Sequence, residues 1–111
     1  MDIVPFVDLA AHHAAVREDI RAAIDRVLMH GQYILGPEVE AFEEGFARFV
    51  GAKYAIGVSS GLDALRLAFE AAGVKAGDEV VVPCNTFVAT ALAVSAVWAV
   101  PVLVDCDPQT Y

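Results

Sequence analysis

A stretch of 25 residues, 80–104, carries no Asp, Glu, Lys or Arg, and a segment of that length could span a bilayer. However, Pro83 and Pro101 divide it into a β-branched run, an alanine-rich middle and a second β-branched run. Its flanking charges are acidic, whereas the topology signals of membrane helices are Lys and Arg. The stretch is therefore predicted to form strand, helix and strand within a buried parallel sheet. A single membrane-spanning helix over 80–104 is the alternative.

The rest of the chain shows helical periodicity interrupted by short apolar runs. The predicted elements, in chain order, are a helix over 12–30, a helix from Pro37 that Gly51 ends, a strand over 54–59, a helix over 61–72, a strand over 79–83, a helix over 86–98 and a strand over 101–105. The order ααβαβαβ predicts an α/β fold with right-handed crossovers. Ligands of such folds bind beyond the carboxyl ends of the strands.

Composition excludes several classes of protein. With 58% hydrophobic and 20% charged residues, the chain has material for a core and too little polarity for disorder. A net charge of −8 with seven scattered basic residues argues against a nucleic-acid or anionic-membrane partner. Cys84 and Cys106 lack the spacing of a zinc site. They are predicted to be free thiols in a reducing cytoplasm.

The sequence SSGLD, residues 59–63, stands where the chain leaves a predicted strand and starts a helix. Its hydroxyls, its glycine and the free N–H groups of a helix N-terminus together attract phosphate. A plain serine N-cap with no ligand explains the same residues equally well. The segment matches neither the dinucleotide-binding fingerprint nor the P-loop.

A second segment, PCNTFVATA, follows the next predicted strand. Asn85 or Thr86 could cap the helix that it opens. Phe87 would lie at the corner between strand and helix, where an aromatic side chain is usually part of the core. If the ligand has a planar ring, Phe87 is instead a stacking face.

Other polar residues have simpler explanations than a metal site. Asp105 and Asp107 resemble a metal-binding DxD pattern, but a strand-ending Asp followed by an Asp-Pro turn accounts for both. His12, His13 and His30 are predicted to be solvated. No metal ligand is therefore assigned.

Five segments, in order, resemble the DegT/DnrJ/EryC1/StrS family of pyridoxal-phosphate (PLP) dependent sugar aminotransferases. The matching segments are VPFVDL, GQYILGPEVEAFEEGFARFVG, AIGVSSGLDALRLAF, GDEVVVPCNTFVATALAVS and PVLVDCDPQTY. The resemblance implies the N-terminal part of an aspartate-aminotransferase-like, fold type I large domain. Within one incomplete α/β unit, residues 1–52 would form N-terminal helices and residues 53–111 the start of the PLP-binding domain.

The resemblance also implies site residues. Ser60, Gly61, Leu62 and Asp63 would bind the cofactor phosphate, and Phe87 would stack on the pyridine ring. Many members have Thr where this chain has Leu62, so that one hydroxyl contact would be absent. Tyr33 matches a position that is usually aromatic and near the active-site entrance, although packing explains it as well.

Family members are roughly three times this length, and the match stops before the Asp that pairs with the pyridine nitrogen and before the Schiff-base Lys. Neither Lys53 nor Lys75 matches that lysine, so the chain alone is not expected to transaminate. The full-length enzyme would be a cytoplasmic homodimer that takes a nucleotide-linked keto-sugar and an amino-acid donor.

The family's sheet also places the strand matching 54–59 apart from those matching 79–83 and 101–105. The rival interpretation is a noncatalytic α/β module that binds a ligand or partner. It requires direct pairing of 54–59 with 79–83.

Overall fold

A computed structural model describes residues 4–111 of the chain. Its elements are α1 (Leu9–Ala14), α2 (Arg17–His30), α3 (Pro37–Val50), α4 (Gly61–Ala71), β1 (Glu79–Pro83), α5 (Ala89–Ala96) and β2 (Val100–Val104). They fall into two compact units, one ending at Ile56 and the other spanning Gly57–Tyr111.

The first unit contains α1, α2 and α3, and the prediction of one continuous helix over 12–30 is wrong. The side chain of Asp8 accepts a hydrogen bond from the amide of Ala11 at 3.0 Å, which caps an earlier start. The first helix ends at Ala14, and Val16 has non-helical dihedral angles before α2 begins. A β-branched residue has lower helix propensity, so Val16 is a favourable place for the break.

The predicted bounds of α3 are confirmed. Pro37 occupies the first turn, and Gly51 ends the helix in the left-handed conformation, with φ of 73°. A hydrogen bond of 2.9 Å between His30 Nε2 and Glu38 Oε2 ties the end of α2 to the start of α3. Tyr33, in the loop between them, is exposed. The aromatic rings of Phe42 and Phe46 stack at 5.6 Å.

The second unit is a β-α-β crossover preceded by α4. The parallel strands β1 and β2 pair in a register that places Val82 opposite Leu103, and the amide of Cys84 continues the ladder to the carbonyl of Val104 at 2.8 Å. The two strands of the uncharged stretch are thus confirmed, with β2 starting and ending one residue early. The alternative of one membrane-spanning helix over 80–104 is wrong. Among residues 4–111, no helix is both long and apolar enough to cross a bilayer.

The prediction of a strand over 54–59 is wrong, and the expected element order changes accordingly. In the part of the chain that the structure describes, the sheet comprises β1 and β2, and 54–59 is not a member of it. This agrees with the expectation that later strands lie between them in the family's sheet. The rival interpretation, a noncatalytic α/β module, requires direct pairing of 54–59 with 79–83, and the described residues do not show that pairing.

The core of the second unit lies between α5 and the sheet. Its buried side chains are Val82, Val94, Val97 and Ala99, and Phe69, Val74 and Val80 pack against them. Val82 and Val94 are 1% and 0% exposed. Of the α4 residues, Phe69 thus packs against this core, whereas Leu65 is exposed.

Helix α5 is shorter than the predicted 86–98. It ends at Ala96 because Trp98 adopts a left-handed conformation with φ of 62°, which a helix cannot continue. The carbonyl of Trp98 then accepts the amide of Gly77 at 2.9 Å. The N-cap of α5 is Val88, which makes no side-chain hydrogen bond to the helix. The prediction that Asn85 or Thr86 caps the helix is therefore wrong, and the Thr86 hydroxyl bonds that of Thr90 at 2.9 Å.

Candidate functional site

The turn before α4 is built by an N-cap serine. Ser60 has extended dihedral angles, and its Oγ accepts a hydrogen bond of 3.1 Å from the amide of Asp63. The carbonyl of Ser60 accepts the amide of Ala64 at 2.9 Å, which starts the helical pattern. The serine N-cap that the sequence left open as an alternative is present at Ser60. It leaves the hydroxyl proton of Ser60 for another acceptor.

The first two amides of α4, those of Gly61 and Leu62, have no hydrogen-bond acceptor in the part of the chain that the structure describes. Such free N–H groups are usual in the first turn of a helix. A Cβ atom placed on Gly61 would have no heavy atom within 4 Å, so the space beside this backbone is open. Gly61 is not among the glycines with positive φ. Glycine at this position therefore permits close approach to the backbone, and no unusual backbone conformation requires it.

Four further side chains form a hydrogen-bond network beside the turn. The hydroxyl of Ser59 donates to Asp63 Oδ2, and Arg66 Nε donates to Asp63 Oδ1 at 3.3 Å. Arg66 also reaches Glu70 Oε1 at 2.7 Å. The hydrogen bond from Ser59, and then that from Arg66, lower the pKa of Asp63. Arg66 was not selected from the sequence, although its spacing of three residues from Asp63 on a helix is a signal for such a pair.

Phe87 lies in the connection between β1 and α5, beyond the carboxyl end of β1. Its side chain is 78% exposed, so the interpretation as a core residue is wrong. Its carbonyl accepts the amide of Thr90 at 3.0 Å, which fixes the backbone while the ring stays open to solvent. An exposed ring at a strand end suits a planar ligand.

The structure brings Ser60, Gly61, Leu62 and Asp63 together in one turn of α4. The hydrogen-bond network of residues 59–70 does not include Phe87. The two features belong to the same unit, Gly57–Tyr111.

Among the other polar candidates, Asp107 holds a turn. Asp107 Oδ1 accepts the amides of Gln109 at 2.8 Å and Thr110 at 2.9 Å, and these bonds lower the pKa of Asp107. The predicted Asp-Pro turn is therefore confirmed. Cys84 and Cys106 are free thiols. Within residues 4–111, no group of three or more His, Cys, Asp or Glu side chains is placed to hold a metal ion.

Comparison with known proteins identifies the relatives of this chain. The sequence profile of the DegT/DnrJ/EryC1/StrS aminotransferase family matches residues 14–111. The UDP-2-acetamido-2-deoxy-3-oxo-D-glucuronate aminotransferase of Pseudomonas aeruginosa is 51% identical over 109 residues, which are 98% of this chain and 30% of the relative. The chain thus spans less than a third of the length of this curated relative.

Solved structures agree with this assignment. DesV of S. venezuelae, in complex with a ketimine intermediate, superposes with a TM-score of 0.91 at 48% identity, over 96% of this chain and 29% of that one. NtdA of Bacillus subtilis, with bound cofactor PMP, superposes with a TM-score of 0.89 at 38% identity, over 99% and 26%. The fold is therefore the N-terminal part of a fold type I aminotransferase domain.

Proposed function

The chain belongs to the DegT/DnrJ/EryC1/StrS aminotransferase family, and on that premise we propose that it forms part of a PLP-dependent aminotransferase acting on a nucleotide-linked keto-sugar. The P. aeruginosa relative is named for a UDP-linked 3-oxo sugar, which supports this substrate class. An amino acid would supply the amino group. We place the complete enzyme in the cytoplasm as a homodimer, and the two free thiols suit a reducing compartment.

The observation that carries the proposal is the pair of amides of Gly61 and Leu62 at the start of α4. PLP is the family's cofactor, and its phosphate is a dianion that fits two free N–H groups at a helix N-terminus. The open space at Gly61 admits that phosphate to the backbone. The residues present therefore fit this end of the cofactor.

Each proposed residue has a separate task. Gly61 and Leu62 would donate their amides to the phosphate, and the hydroxyl of Ser60 would add a third donor. Asp63 would hold the turn through its backbone and side-chain hydrogen bonds. Phe87 would cover one face of the pyridine ring. When bound, PLP supplies an electron sink for carbon-centred proton transfer, which none of these side chains provides.

A chimaera tests the proposed function directly. Residues 1–111 would replace the matching segment of the P. aeruginosa aminotransferase, which is 51% identical to them. We expect the chimaera to retain PLP and to aminate the keto-sugar nucleotide of the parent enzyme. A matched chimaera carrying Gly61→Val should lose both. A well-folded chimaera that binds no PLP would contradict the proposal.

The chain by itself should not attach PLP covalently at a specific lysine. Lys53 and Lys75 are the two lysines of the sequence, and neither matches the family's catalytic position. After incubation with micromolar PLP and borohydride reduction, peptide mass spectrometry should find only trace modification of either residue. A stoichiometric, saturable adduct at Lys53 or Lys75 would show that this expectation is wrong.

Replacing Phe87 by Ala should weaken binding of pyridoxamine phosphate, the cofactor form that cannot react with lysines. The ring is exposed, so its loss costs little folding energy, while the missing stacking face costs about 0.5 to 1.5 kcal/mol of binding. Equilibrium dialysis measures the dissociation constant. Phe87→Tyr keeps the ring and should bind as the parent chain does. Equal affinity of the Ala and Tyr variants would remove Phe87 from the site.

Leu62→Thr should strengthen binding of the same ligand. Leu62 is half-buried at the second position of α4, and a hydroxyl there could donate to the phosphate, with a gain of about 0.5 to 3 kcal/mol. Leu62→Val is the control, because it matches the shape of Thr without the hydroxyl. If Thr and Val bind alike in dialysis, Leu62 does not face the phosphate.

A further inference from the structure

Helix α4 carries three charged side chains, Asp63, Arg66 and Glu70. A carboxylate in the first turn stabilises a helix through the macrodipole. The same negative charge repels a phosphate that binds the amides of that turn. The charge of Asp63 therefore stabilises the helix but opposes the binding of an anion to the amides of its first turn.

Arg66 is placed to resolve this conflict. Its Nε lies 3.3 Å from Asp63 Oδ1, and its second contact, to Glu70 Oε1, is 2.7 Å. The side chains of Arg66 and Asp63 are 33% and 35% exposed, so solvent screens the pair only in part. The other oxygen of Asp63 accepts the hydroxyl of Ser59. The carboxylate is thus held between a cation and a hydroxyl on the turn itself.

We propose that Arg66 is a positioning residue for the phosphate-binding turn, in that it neutralises Asp63 and holds its carboxylate on Ser59 so that the amides of Gly61 and Leu62 can donate to an anion. This inference rests on the proposed function, because it presumes that the turn binds a phosphate. Arg66 acts through Asp63 and not by contact with the ligand. Its contribution is therefore electrostatic and depends on the presence of the Asp63 charge.

A double-mutant cycle that removes the two charges tests this role on the full chain, with pyridoxamine phosphate and pyridoxamine as paired probes in equilibrium dialysis. Arg66→Ala should weaken pyridoxamine phosphate binding about two- to five-fold, the range of an exposed ion pair, and leave pyridoxamine binding unchanged. Arg66→Lys should retain the parent affinity because the cation remains. Lys75→Ala, which removes one positive charge elsewhere in the same unit, should have no effect.

The double variant Asp63→Asn/Arg66→Ala gives the decisive reading. We expect it to regain the parent affinity, because Asn can still accept the Ser59 hydroxyl and no negative charge remains at position 63, in the first turn beside the amides of Gly61 and Leu62. Molar salt should also reduce the difference between Arg66→Ala and the parent, since the Debye length falls to about 3 Å. A purely structural Arg66 predicts the opposite, with the double variant binding more weakly than Arg66→Ala.

Two outcomes separate this inference from the proposed function. If the parent chain binds pyridoxamine phosphate no better than pyridoxamine, the phosphate site itself is wrong, and the role of Arg66 falls with it. If the parent prefers the phosphate and Arg66→Ala binds equally well, only the positioning role is overturned. Circular dichroism of each variant checks that the helix content is retained. If Arg66→Ala loses it, Arg66→Gln, which keeps most of the side chain without the cation, takes its place with the same expected weakening.

Discussion

Replacing Val94 by Asp should lower the free energy of unfolding of the second unit, residues 57–111, by about 3 kcal/mol or more. Val94 is 0% exposed and packs against Val82, Val97 and Ala99. A carboxylate there has no partner in the core, and burying it costs about 3 kcal/mol or more. Native domains usually have a free energy of unfolding of about 5 to 15 kcal/mol, so this cost is a large part of the total. Urea unfolding followed by circular dichroism measures the decrease in the free energy of unfolding.

Ser95→Asp is the matched control, since Ser95 is the next residue of α5 and is exposed. It introduces the same charge on the same helix and should change the free energy of unfolding by less than about 0.5 kcal/mol, as surface substitutions usually do. If Val94→Asp unfolds with the same midpoint and slope as Ser95→Asp, the core described for the second unit is wrong.

Gly61→Val will remove most of the affinity for pyridoxamine phosphate while α4 remains folded. The free chain tolerates a Cβ at this position, because no heavy atom lies within 4 Å of it. A branched side chain would instead occupy the space that the phosphate needs. Each hydrogen bond to a charged partner contributes about 1.5 to 3 kcal/mol, so loss of one or both amides predicts a decrease of about ten-fold or more.

Gly45→Val is a control within the other unit, where glycine lies inside α3 and takes no part in the proposed site. It should lower helix stability and leave ligand affinity unchanged. Pyridoxamine, which lacks the phosphate, should bind the parent and the Gly61→Val variant alike. An unchanged dissociation constant for pyridoxamine phosphate in Gly61→Val would show that the SSGLD turn is a helix cap and nothing more.

The sequence predicted those elements whose signals are local. Three elements, α3, β1 and β2, were predicted within about one residue of their bounds. The signals were Pro37 and Gly51 at the two ends of α3, and the apolar runs that contain Pro83 and Pro101. The strand over 54–59 could not be predicted correctly in the same way, because a strand depends on a neighbour and its pairing is not encoded locally. The break at Val16 was missed because periodicity continues through it, while the cap at Asp8 that starts α1 lies further upstream.

The candidate site shows the same division. The N-cap at Ser60 was one of two interpretations that the residue types allowed, and the structure shows that cap. The pairing of Arg66 with Asp63 and Glu70 depends on rotamers, which several charged residues on one helix leave open. The exposure of Phe87 was also not predictable, since α5 begins two residues after it and not at Thr86.

The most direct test of the central claim is the response of two backbone amides to the cofactor phosphate. The ¹⁵N-labelled chain would be titrated with pyridoxamine phosphate and, separately, with pyridoxamine, while amide signals are followed by two-dimensional NMR. Saturable shifts of Gly61 and Leu62 with the phosphate form, and none with pyridoxamine, are the predicted result. Identical responses to both compounds, or shifts that leave Gly61 and Leu62 unmoved, would contradict the assignment of this turn to the phosphate of PLP.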